Sequence, residues 1–374
     1  MNPIPVKCRM ALRALIVSLP FVIAAQDVHA SCYFTTPQLL HKLFHDPSEG
    51  NPWVTVIAHR GLWGQYNPQY HDIPENSNGA IAAASDWCED AMELDVKMTN
   101  DNVAVVMHDF NLGRTTNVWQ TKRGGAAKFD PGVSETGLRA TGYNPLVSSL
   151  HSSVVTNLRL LTPDRSSVSG WYVPTIYGAL QQWRRRTNVV PIIFDVKSAA
   201  AARAVNSDAR RALQQPGLVM AMKVNASLYK SRAAFQADVP DMEGIPVFVT
   251  NNVGKIDIAQ VRDAWARGDN TVAIEANVKV HNGYLSGDLL DWSHRRKSPV
   301  GVFNALPDYP GGRGRFYNAD GTCCYTLRDK FVKGENDDQR GDWNYINDMN
   351  FSFVTTDDPD GLVTFLTSKG KRRP

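Results

Sequence analysis

The sequence has few cysteines, little net charge and no apolar run long enough for a membrane span. The five cysteines among 374 residues include no Cys-x-x-Cys pair, which weakens the case for a zinc site. A formal net charge of +3 gives no reason to expect a nucleic acid partner. The apolar stretch at residues 14–25 falls short of the ~20 residues that a spanning helix needs, and no later stretch approaches that length.

The first thirty residues have the anatomy of a secretory signal peptide. The apolar core ALIVSLPFVIAA follows three cations, Lys7, Arg9 and Arg13. The sequence VHA then offers a cleavage site after Ala30, so that residues 1–30 are predicted to be removed and the chain exported, to the periplasm or out of the cell. Cys32 suggests a lipid anchor as an alternative, but His29 stands where a lipidation signal has an aliphatic residue.

Four cysteines remain once Cys8 leaves with the signal peptide, and an even number in an exported protein suggests disulfides. Two of them, Cys323 and Cys324, are neighbours, and neighbouring cysteines rarely bridge each other without backbone strain. We therefore expect Cys32 or Cys88 to form a disulfide with a member of this pair. The alternative is that all four cysteines stay free.

Eight short apolar runs alternate with longer stretches of helical character. Such runs, when they alternate with helices, are typical of a parallel sheet covered on both faces. Eight strand–helix units predict a (β/α)8 TIM barrel, an α/β fold, and an open doubly wound sheet is the alternative. The runs lie at residues 53–58, 91–96, 189–196, 217–224, 245–250, 271–276, 299–303 and 351–356.

Two long stretches interrupt this alternation, after the second strand unit at 118–172 and between strands seven and eight at 304–348. The first is rich in Gly, Ser and Thr, and the second carries the cysteine pair. Loops of this length inside a domain are usually functional or disordered. Residues 31–374 are therefore predicted to form one domain with two inserted loops.

Polar side chains end several of the predicted strands, where the active site of a TIM barrel lies. His59 and Arg60 follow the first strand. Side chains two residues apart share a face of a strand, so Glu93 and Asp95 lie together on the second strand, and Asp195 lies with Lys197 on the third. Lys223 and Glu275 end two further strands.

Three carboxylates on two neighbouring strands would repel one another, and burying them unpaired is unfavourable. A divalent cation removes that repulsion, and ligands that are all oxygen suit Mg²⁺ or Ca²⁺. The sequence thus predicts a site for one such cation at Glu93, Asp95 and Asp195. The alternative is that each acid forms a separate salt bridge with Lys97, Lys197 or Lys223.

A second histidine, His108, ends a short strand that returns after the turn TNDN. Two histidines near a metal are suited to cleaving a phosphodiester, because one removes a proton from the nucleophile and the other protonates the leaving oxygen. Arg60 can bind two phosphoryl oxygens with its planar guanidinium. The alternative for His108 is a hydrogen-bonded structural histidine.

Residues 56–117 contain AHRG, PENS, MELDV, TNDN and HDFNLGRTT in succession. This pattern resembles the glycerophosphodiester phosphodiesterase family, of the phosphatidylinositol-phosphodiesterase-like TIM barrel superfamily. The resemblance is dense over 56–117, thin at 171–197 (VPTIYGAL) and at 351–366 (VTTDDPDG), and absent between. It implies hydrolysis of glycerophosphodiesters to glycerol 3-phosphate and an alcohol.

The resemblance also implies roles for individual residues. His59 and His108 become the acid–base pair, and Arg60 contacts the phosphate. The metal ligands are Glu93, Asp95 and Asp195, although the family usually has Glu in place of Asp195. Further candidates for binding or orienting the phosphate or Arg60 are Glu75 and Asn76 of PENS and the lysines Lys197 and Lys223.

Two other functions remain compatible with the sequence. The first is a secreted enzyme like phospholipase D or sphingomyelinase, which acts on intact lipids through the same barrel; the second is a barrel that binds a ligand without catalysis. The PENS and RTTN motifs favour the glycerophosphodiesterase. Several aromatic residues would contact a lipid interface transiently or pack under the loops: Trp63, Tyr66, Tyr70, Tyr309, Phe316 and Tyr317.

Overall fold

The computed structural model describes most of the chain beyond the predicted signal peptide. The contacts divide the chain into Met1–Ser31 and Cys32–Pro374, and every described residue lies in the second unit. The predicted signal peptide, residues 1–30, therefore lies outside the described residues. These are Cys32, 34–45, 53–121, 143–266, 272–306, 338–372 and the backbone of 315–317 and 323–326.

The strands of the described part include all eight that the apolar runs predict. In chain order they are β1 (Thr55–Ala58), β2 (Ala91–Met98), β3 (Ala104–Val106), β4 (Arg159–Leu161), β5 (Val168–Tyr172), β6 (Ile192–Val196), β7 (Met220–Asn225), β8 (Glu243–Phe248), β9 (Ile274–Ala276), β10 (Val300–Phe303), β11 (Arg315–Tyr317), β12 (Cys323–Thr326) and β13 (Phe353–Thr356).

Eight of these strands close into a parallel barrel. Each strand in the series β1, β2, β6, β7, β8, β9, β10 and β13 pairs in parallel with the next, and β13 pairs with β1. Because β1 has a partner on both sides, the predicted TIM barrel is confirmed and the open sheet is excluded. Strand β3 lies antiparallel beside β2.

A helix follows each barrel strand, as the fold requires. Most of these helices begin with a Ser, Thr or Asp whose side chain accepts a backbone N–H, for example Ser77, Thr175 and Ser198. The helices are α1 (Thr36–His45), α2 (Asn78–Asp86), α3 (Ser152–Val155), α4 (Ile176–Trp183), α5 (Ala199–Ala212), α6 (Arg232–Asp238), α7 (Ile258–Trp265), α8 (Trp292–Arg296), α9 (Trp343–Asp348) and α10 (Pro359–Ser368). None of the helices in the described part is long and apolar enough to cross a bilayer.

Side chains alternate between the two faces of each strand, as the sequence pattern predicts. In β2, Met92 and Leu94 pack in the main core with residues of α4 and α5, whereas Glu93 and Asp95 lie on the opposite face. Asp95 is in register with Asp195 of β6, which is in register with Lys223 of β7. The charged residues therefore form one layer inside the barrel.

Helix α1, which the apolar pattern did not predict, packs against the inner residues of the barrel. Its Leu40, Leu43 and Phe44 are buried in one cluster with side chains from six of the barrel strands. The barrel members of this cluster are Ile57, Ala91, Ile193, Ala221, Ile245, Ala273 and Phe353.

A disulfide joins Cys32, close to the start of α1, to Cys88, just after α2. The expectation that one of these cysteines bridges Cys323 or Cys324 is therefore wrong. An even cysteine count does not determine connectivity; the packing of α1 places Cys32 beside the end of α2, with the two Cα atoms 5.3 Å apart. The side chains of Cys323 and Cys324 lie outside the described residues.

The two predicted loop insertions contain regular structure where they are described. In 118–172 the strands β4 and β5 pair as an antiparallel hairpin, preceded by α3. Apolar residues of this segment, among them Val118, Val155 and Leu160, bury a separate core with Val105 and Leu112. Within 304–348, β11 pairs with β12, and α9 follows. Residues 122–142 lie outside the described part.

Candidate active site

The predicted metal ligands lie together, two on β2 and one near the end of β6. One carboxylate oxygen each from Glu93, Asp95 and Asp195 lies within 4.8 Å of the others. Glu93 and Asp95 are buried and Asp195 is half-buried. Three convergent oxygen donors are a set that can hold a hard divalent cation.

The electrostatics of the carboxylates favour a cation. Burial and the neighbouring charge of Asp95 raise the pKa of Glu93 to about 8. Burial also raises the pKa of Asp95, but the charges of His108 and Arg60 outweigh it and hold that pKa below its ordinary range. Since the ligand set leaves Glu93 poorly compensated, a divalent cation fits these residues.

The alternative to a metal site, a separate salt bridge from each acid to a lysine, holds for Asp195. Lys197 Nζ donates to Asp195 Oδ2 over 2.7 Å. Lys223 instead pairs with Glu275, and its Nζ lies 2.5 Å from the hydroxyl of Thr355. Lys223 is thus buried among barrel side chains and in a position to orient them, whereas Lys197 is a direct neighbour of a predicted ligand.

His59 follows β1 and is held by an aspartate from the other end of the sequence. Its Nδ1 lies 2.8 Å from Asp357 Oδ1, so the ring donates Nδ1–H to that carboxylate, and its Nε2 lies 3.9 Å from Glu93 Oε2. Burial lowers the pKa of His59, yet the charge and hydrogen bond of Asp357 raise it above its ordinary value overall. The ring of Phe303 packs edge-on against it at 4.7 Å.

His108 has a matching arrangement. Its Nδ1 lies 2.6 Å from Asp109 Oδ1, and the other oxygen of Asp109 accepts Arg114 Nε over 2.5 Å. Protonated His59 and His108 would each lower the pKa of Asp95, so both rings lie within electrostatic range of that carboxylate. Each histidine therefore has a carboxylate on Nδ1, which leaves Nε2 for proton transfer.

Arg60 is fixed by its backbone and by two acids. It has a left-handed φ of 63°, followed by Gly61 at 80°, and a Cβ on Gly61 would lie 2.8 Å from that of Ala80. Its Nη1 donates to Glu75 Oε2 over 3.1 Å, and its Nε lies 3.5 Å from Asp95 Oδ2. The guanidinium is thus held beside the carboxylates of β2.

Glu75 is buried among three guanidinium groups. Besides Arg60, Arg114 Nη2 donates to Glu75 Oε1 over 2.5 Å and Arg165 Nη2 donates to Oε2 over 2.6 Å. Burial raises the pKa of the Glu75 carboxyl, but Arg114, Arg60 and Arg165 outweigh it and hold the pKa well below its ordinary value. We refer to Arg60, Arg114 and Arg165 as the arginine cluster.

Asn76 contacts a predicted metal ligand directly. Its side-chain Nδ2 donates to Asp95 Oδ2 over 2.9 Å, and its Oδ1 accepts the backbone N–H of Asp95 over 3.1 Å. Like Arg60, it adopts a left-handed conformation, with a φ of 55°. Glu75 and Asn76 therefore orient Arg60 and Asp95, respectively.

All the predicted site residues lie at this end of the barrel or in the layer below it, but sequence reasoning missed several of their partners. Asp109 and Arg114 stand within the quoted HDFNLGRTT motif, and Asp357 within VTTDDPDG, so a signal was present for these three. Arg165 had none, because it belongs to the irregular segment. Of the aromatic residues considered for lipid contact, Trp63 is buried, and its indole donates to the carbonyl of His59.

The remaining aromatic residues divide between half-buried and undescribed positions. Tyr66 and Tyr70 are half-buried. Tyr309 and the side chains of Phe316 and Tyr317 lie outside the described part.

Comparison with known proteins agrees with the geometry. Residues 59–226 match the model of the glycerophosphoryl diester phosphodiesterase family. The resemblance drawn from the motifs is thereby confirmed, and this part of the chain is similar to that family.

Curated relatives are similar over a short segment. Glycerophosphodiester phosphodiesterase 1 of Rattus norvegicus is 42% identical over 64 residues, 17% of this chain and 17% of that protein. Glycerophosphodiester phosphodiesterase of Caldanaerobacter subterraneus is 42% identical over 62 residues, 17% of this chain and 23% of that protein. The matched segments thus span less than a quarter of these relatives.

Solved structures share the fold over most of the chain. A structure from Silicibacter pomeroyi has a TM-score of 0.59 at 18% identity and covers 89% of this chain and 98% of its own. A glycerophosphoryl diester phosphodiesterase from Parabacteroides distasonis has a TM-score of 0.54 at 17% identity, over 90% and 93% of the two chains. These similarities support the barrel.

Proposed function

We propose that this protein is a metal-dependent phosphodiesterase that hydrolyses glycerophosphodiesters to glycerol 3-phosphate and an alcohol. One observation carries the proposal: two histidines, each bound at Nδ1 by an aspartate, belong to the same network of side chains as three clustered carboxylates and a buried arginine. The family match over 59–226 supplies the substrate class.

In this proposal the histidines transfer protons through Nε2. One removes a proton from the nucleophile and the other gives a proton to the leaving oxygen, so the two begin the reaction in opposite protonation states. Asp357 and Asp109 fix the ring orientation and stabilise the imidazolium form. Both rings lie within electrostatic range of Asp95, which supports action on one substrate group.

Arg60 binds the phosphoryl group in this proposal, because its fork is held rigidly by Glu75 and can meet two phosphoryl oxygens. Glu93, Asp95 and Asp195 would hold one divalent cation, Mg²⁺ or Ca²⁺. When bound, such a cation supplies charge stabilisation for phosphoryl oxygens. Lys197 and Lys223 support the ligand layer through Asp195 and Glu275.

The test is turnover of glycerophosphocholine against vesicles of phosphatidylcholine and sphingomyelin, with and without EDTA. We expect hydrolysis of glycerophosphocholine alone, lost with chelator and restored by Mg²⁺ or Ca²⁺. Hydrolysis of the vesicle lipids would instead favour the lipid phosphodiesterase considered above. Hydrolysis of neither substrate class by the folded, metal-loaded protein would contradict both enzyme functions.

Variants of the histidines separate chemistry from metal binding. His59→Ala and His108→Ala are each expected to lower kcat by ~10²–10⁴, with divalent affinity nearly unchanged. His71→Ala is the matched control, because that imidazole is 79% exposed and pairs with the exposed Asp72. Chelator-sensitive turnover close to wild type in a His59→Ala, His108→Ala double variant would refute the acid–base assignment.

We also propose that the protein acts outside the cytoplasm. The support is the cationic and apolar pattern of residues 1–30 together with the disulfide between Cys32 and Cys88. Fractionation of cells that express the full chain, with the N-terminus of the recovered protein sequenced, tests it. A cytoplasmic protein that retains residue 1 would contradict it.

A further inference from the structure

Arg165 reaches the active site from the turn between β4 and β5. This turn belongs to a segment that carries none of the sequence motifs described above. The turn is well defined: Arg165 N donates to Thr162 O over 2.8 Å, and Thr162 Oγ1 donates to Asp164 Oδ1 over 2.6 Å. Arg165 itself adopts a left-handed φ of 62°, which is uncommon for a residue other than Gly, Asn or Asp. Such strain often accompanies a side chain that function requires in one place.

The guanidinium of Arg165 is held on two sides and has one buried nitrogen without a hydrogen-bond partner in the described part of the chain. Its Nη2 donates to the buried Glu75, and its centre lies 5.7 Å from the ring of Trp63. Its Nη1 is buried and has no hydrogen-bond partner in the described part of the chain. Arg60 Nε is a second buried guanidinium nitrogen without a hydrogen-bond partner there. Leaving a buried charged donor unsatisfied is unfavourable.

The arginine cluster brings three positive charges together around one carboxylate. Besides Glu75, Arg114 is hydrogen-bonded to Asp109 and Arg60 lies beside Asp95. Among the described residues, the ion-pair partner of Arg165 is Glu75, which it shares with the other two guanidiniums. Burial lowers the pKa of Arg165, and the charge of Arg114 adds to that effect against the opposing charge of Glu75. A guanidinium that shares its carboxylate with two others, and has a buried nitrogen without a hydrogen-bond partner in the described part of the chain, is suited to bind an anion.

We propose that Arg165 is a substrate-binding residue that donates from Nη1 to an anionic oxygen of the phosphoryl group, beside Arg60. The hairpin of β4 and β5 thus adds a second guanidinium to the phosphate site. This inference rests on the proposed function for the identity of the substrate. The binding of a phosphoryl anion can be measured without turnover.

The test is calorimetric titration of the full chain with inorganic phosphate, in the presence of the divalent cation. Arg165→Gln is expected to weaken phosphate binding about 10- to 100-fold, the worth of one hydrogen bond to a charged group. Arg165→Lys is expected to weaken it several-fold, because an ammonium keeps the charge but cannot serve Glu75 and an anion with one planar fork. Arg159→Gln, an exposed arginine on the same hairpin, is the matched control and keeps wild-type affinity.

Thermal unfolding of each variant checks that it is folded, and Arg165→Lys decides the matter if Arg165→Gln does not fold. For glycerophosphodiester turnover, we expect KM to rise with kcat near wild type. Wild-type phosphate affinity in a folded Arg165 variant would overturn the proposal, as would a fall in kcat with phosphate affinity and KM unchanged. A wild-type protein that binds phosphate through Arg165 but hydrolyses no glycerophosphodiester would contradict the proposed function and leave this binding site standing.

Discussion

At the scale of single residues, both candidate proton-transfer histidines depend on an aspartate at Nδ1. Asp109 contributes more than orientation, because its second oxygen also holds Arg114, which holds Glu75. Asp109, Arg114 and Glu75 therefore connect His108, a candidate for proton transfer, to Arg60, the residue proposed to bind phosphate. These three connecting side chains make no proposed contact with substrate.

Replacing Asp109 by Asn should impair catalysis and leave the metal in place. An amide can present N–H or C=O to His108, so the required tautomer is no longer favoured and the imidazolium loses its counter-charge. We expect kcat to fall by ~10² or more, with divalent affinity within about twofold of wild type. Asp72→Asn, which changes an exposed aspartate paired with an exposed histidine, is the control. An unchanged kcat in Asp109→Asn would contradict the proposal that Asp109 orients His108.

The depressed pKa of Glu75 predicts how stability depends on pH. The folded pKa lies well below the unfolded value of 4.5, so the stabilisation is complete above pH 4.5 and is lost as pH falls below it. Glu75→Gln abolishes this titration and leaves three guanidiniums without their shared carboxylate, at a cost of about 3–5 kcal/mol at pH 7. The difference in unfolding free energy between wild type and Glu75→Gln should therefore narrow from pH 7 to pH 3.

Denaturant unfolding of both proteins at several pH values measures that difference. Because every other titrating group is common to the two proteins, their contributions largely cancel in the comparison. If the difference in unfolding free energy between the two proteins stays constant from pH 7 to pH 3, the lowered pKa assigned to Glu75 is contradicted.

At the scale of elements, the disulfide fastens α1, whose apolar face packs against the inner residues of the barrel. The bridge closes a loop with a sequence separation of 56 residues. In the chain-entropy model a loop of this length is worth about 4 kcal/mol. Cys88→Ser should lower the melting temperature, and reductant should lower that of wild type toward the variant. A melting temperature of wild type that does not respond to full reduction would argue against this stabilising role.

A close packing contact between two strands gives a second prediction at this scale. The ring of Phe353 in β13 lies directly over Gly301 in β10, so that a Cβ there would come within 2.0 Å of the ring. Gly301→Ala should destabilise the barrel by about 1–3 kcal/mol, because the buried ring has to move. Gly287→Ala, where a Cβ has nothing within 4 Å, is the control in the same thermal unfolding experiment. Equal losses of stability in Gly301→Ala and Gly287→Ala would exclude the contact with Phe353 as the cause.

For the whole molecule, the cation should stabilise the fold as well as support activity. The three carboxylates of the proposed ligand set come together only in the folded state, so a divalent cation is expected to bind the folded state and not the unfolded chain. At 100 times Kd the free energy of unfolding should rise by about 2.7 kcal/mol. Mg²⁺ or Ca²⁺ should thus raise the melting temperature of wild type and of Asp72→Asn but not of Asp95→Asn. An equal rise in Asp95→Asn would exclude this cluster as the site.

The barrel and the motif residues could be predicted because their signals are local. Apolar runs mark the strands, alternation puts Glu93 and Asp95 on one face, and residues near the ends of parallel strands meet at one end of the barrel. Helix α1 and the β4–β5 hairpin could not be predicted in the same way. Their apolar faces are completed only by residues distant in the chain.

The sequence by itself determined the eight barrel strands and the presence of His59, Arg60 and His108 at strand ends. It also determined that Glu93 and Asp95 share one face of a strand. Those features follow from periodicity of two along a strand and from the direction of parallel strands. Only the tertiary structure decided the partners of these residues. Asp357 lies 298 positions from His59, Arg165 lies 90 from Glu75, and Cys32 pairs with Cys88. Such contacts join residues that are far apart in the chain, and no local pattern indicates which of these residues will meet.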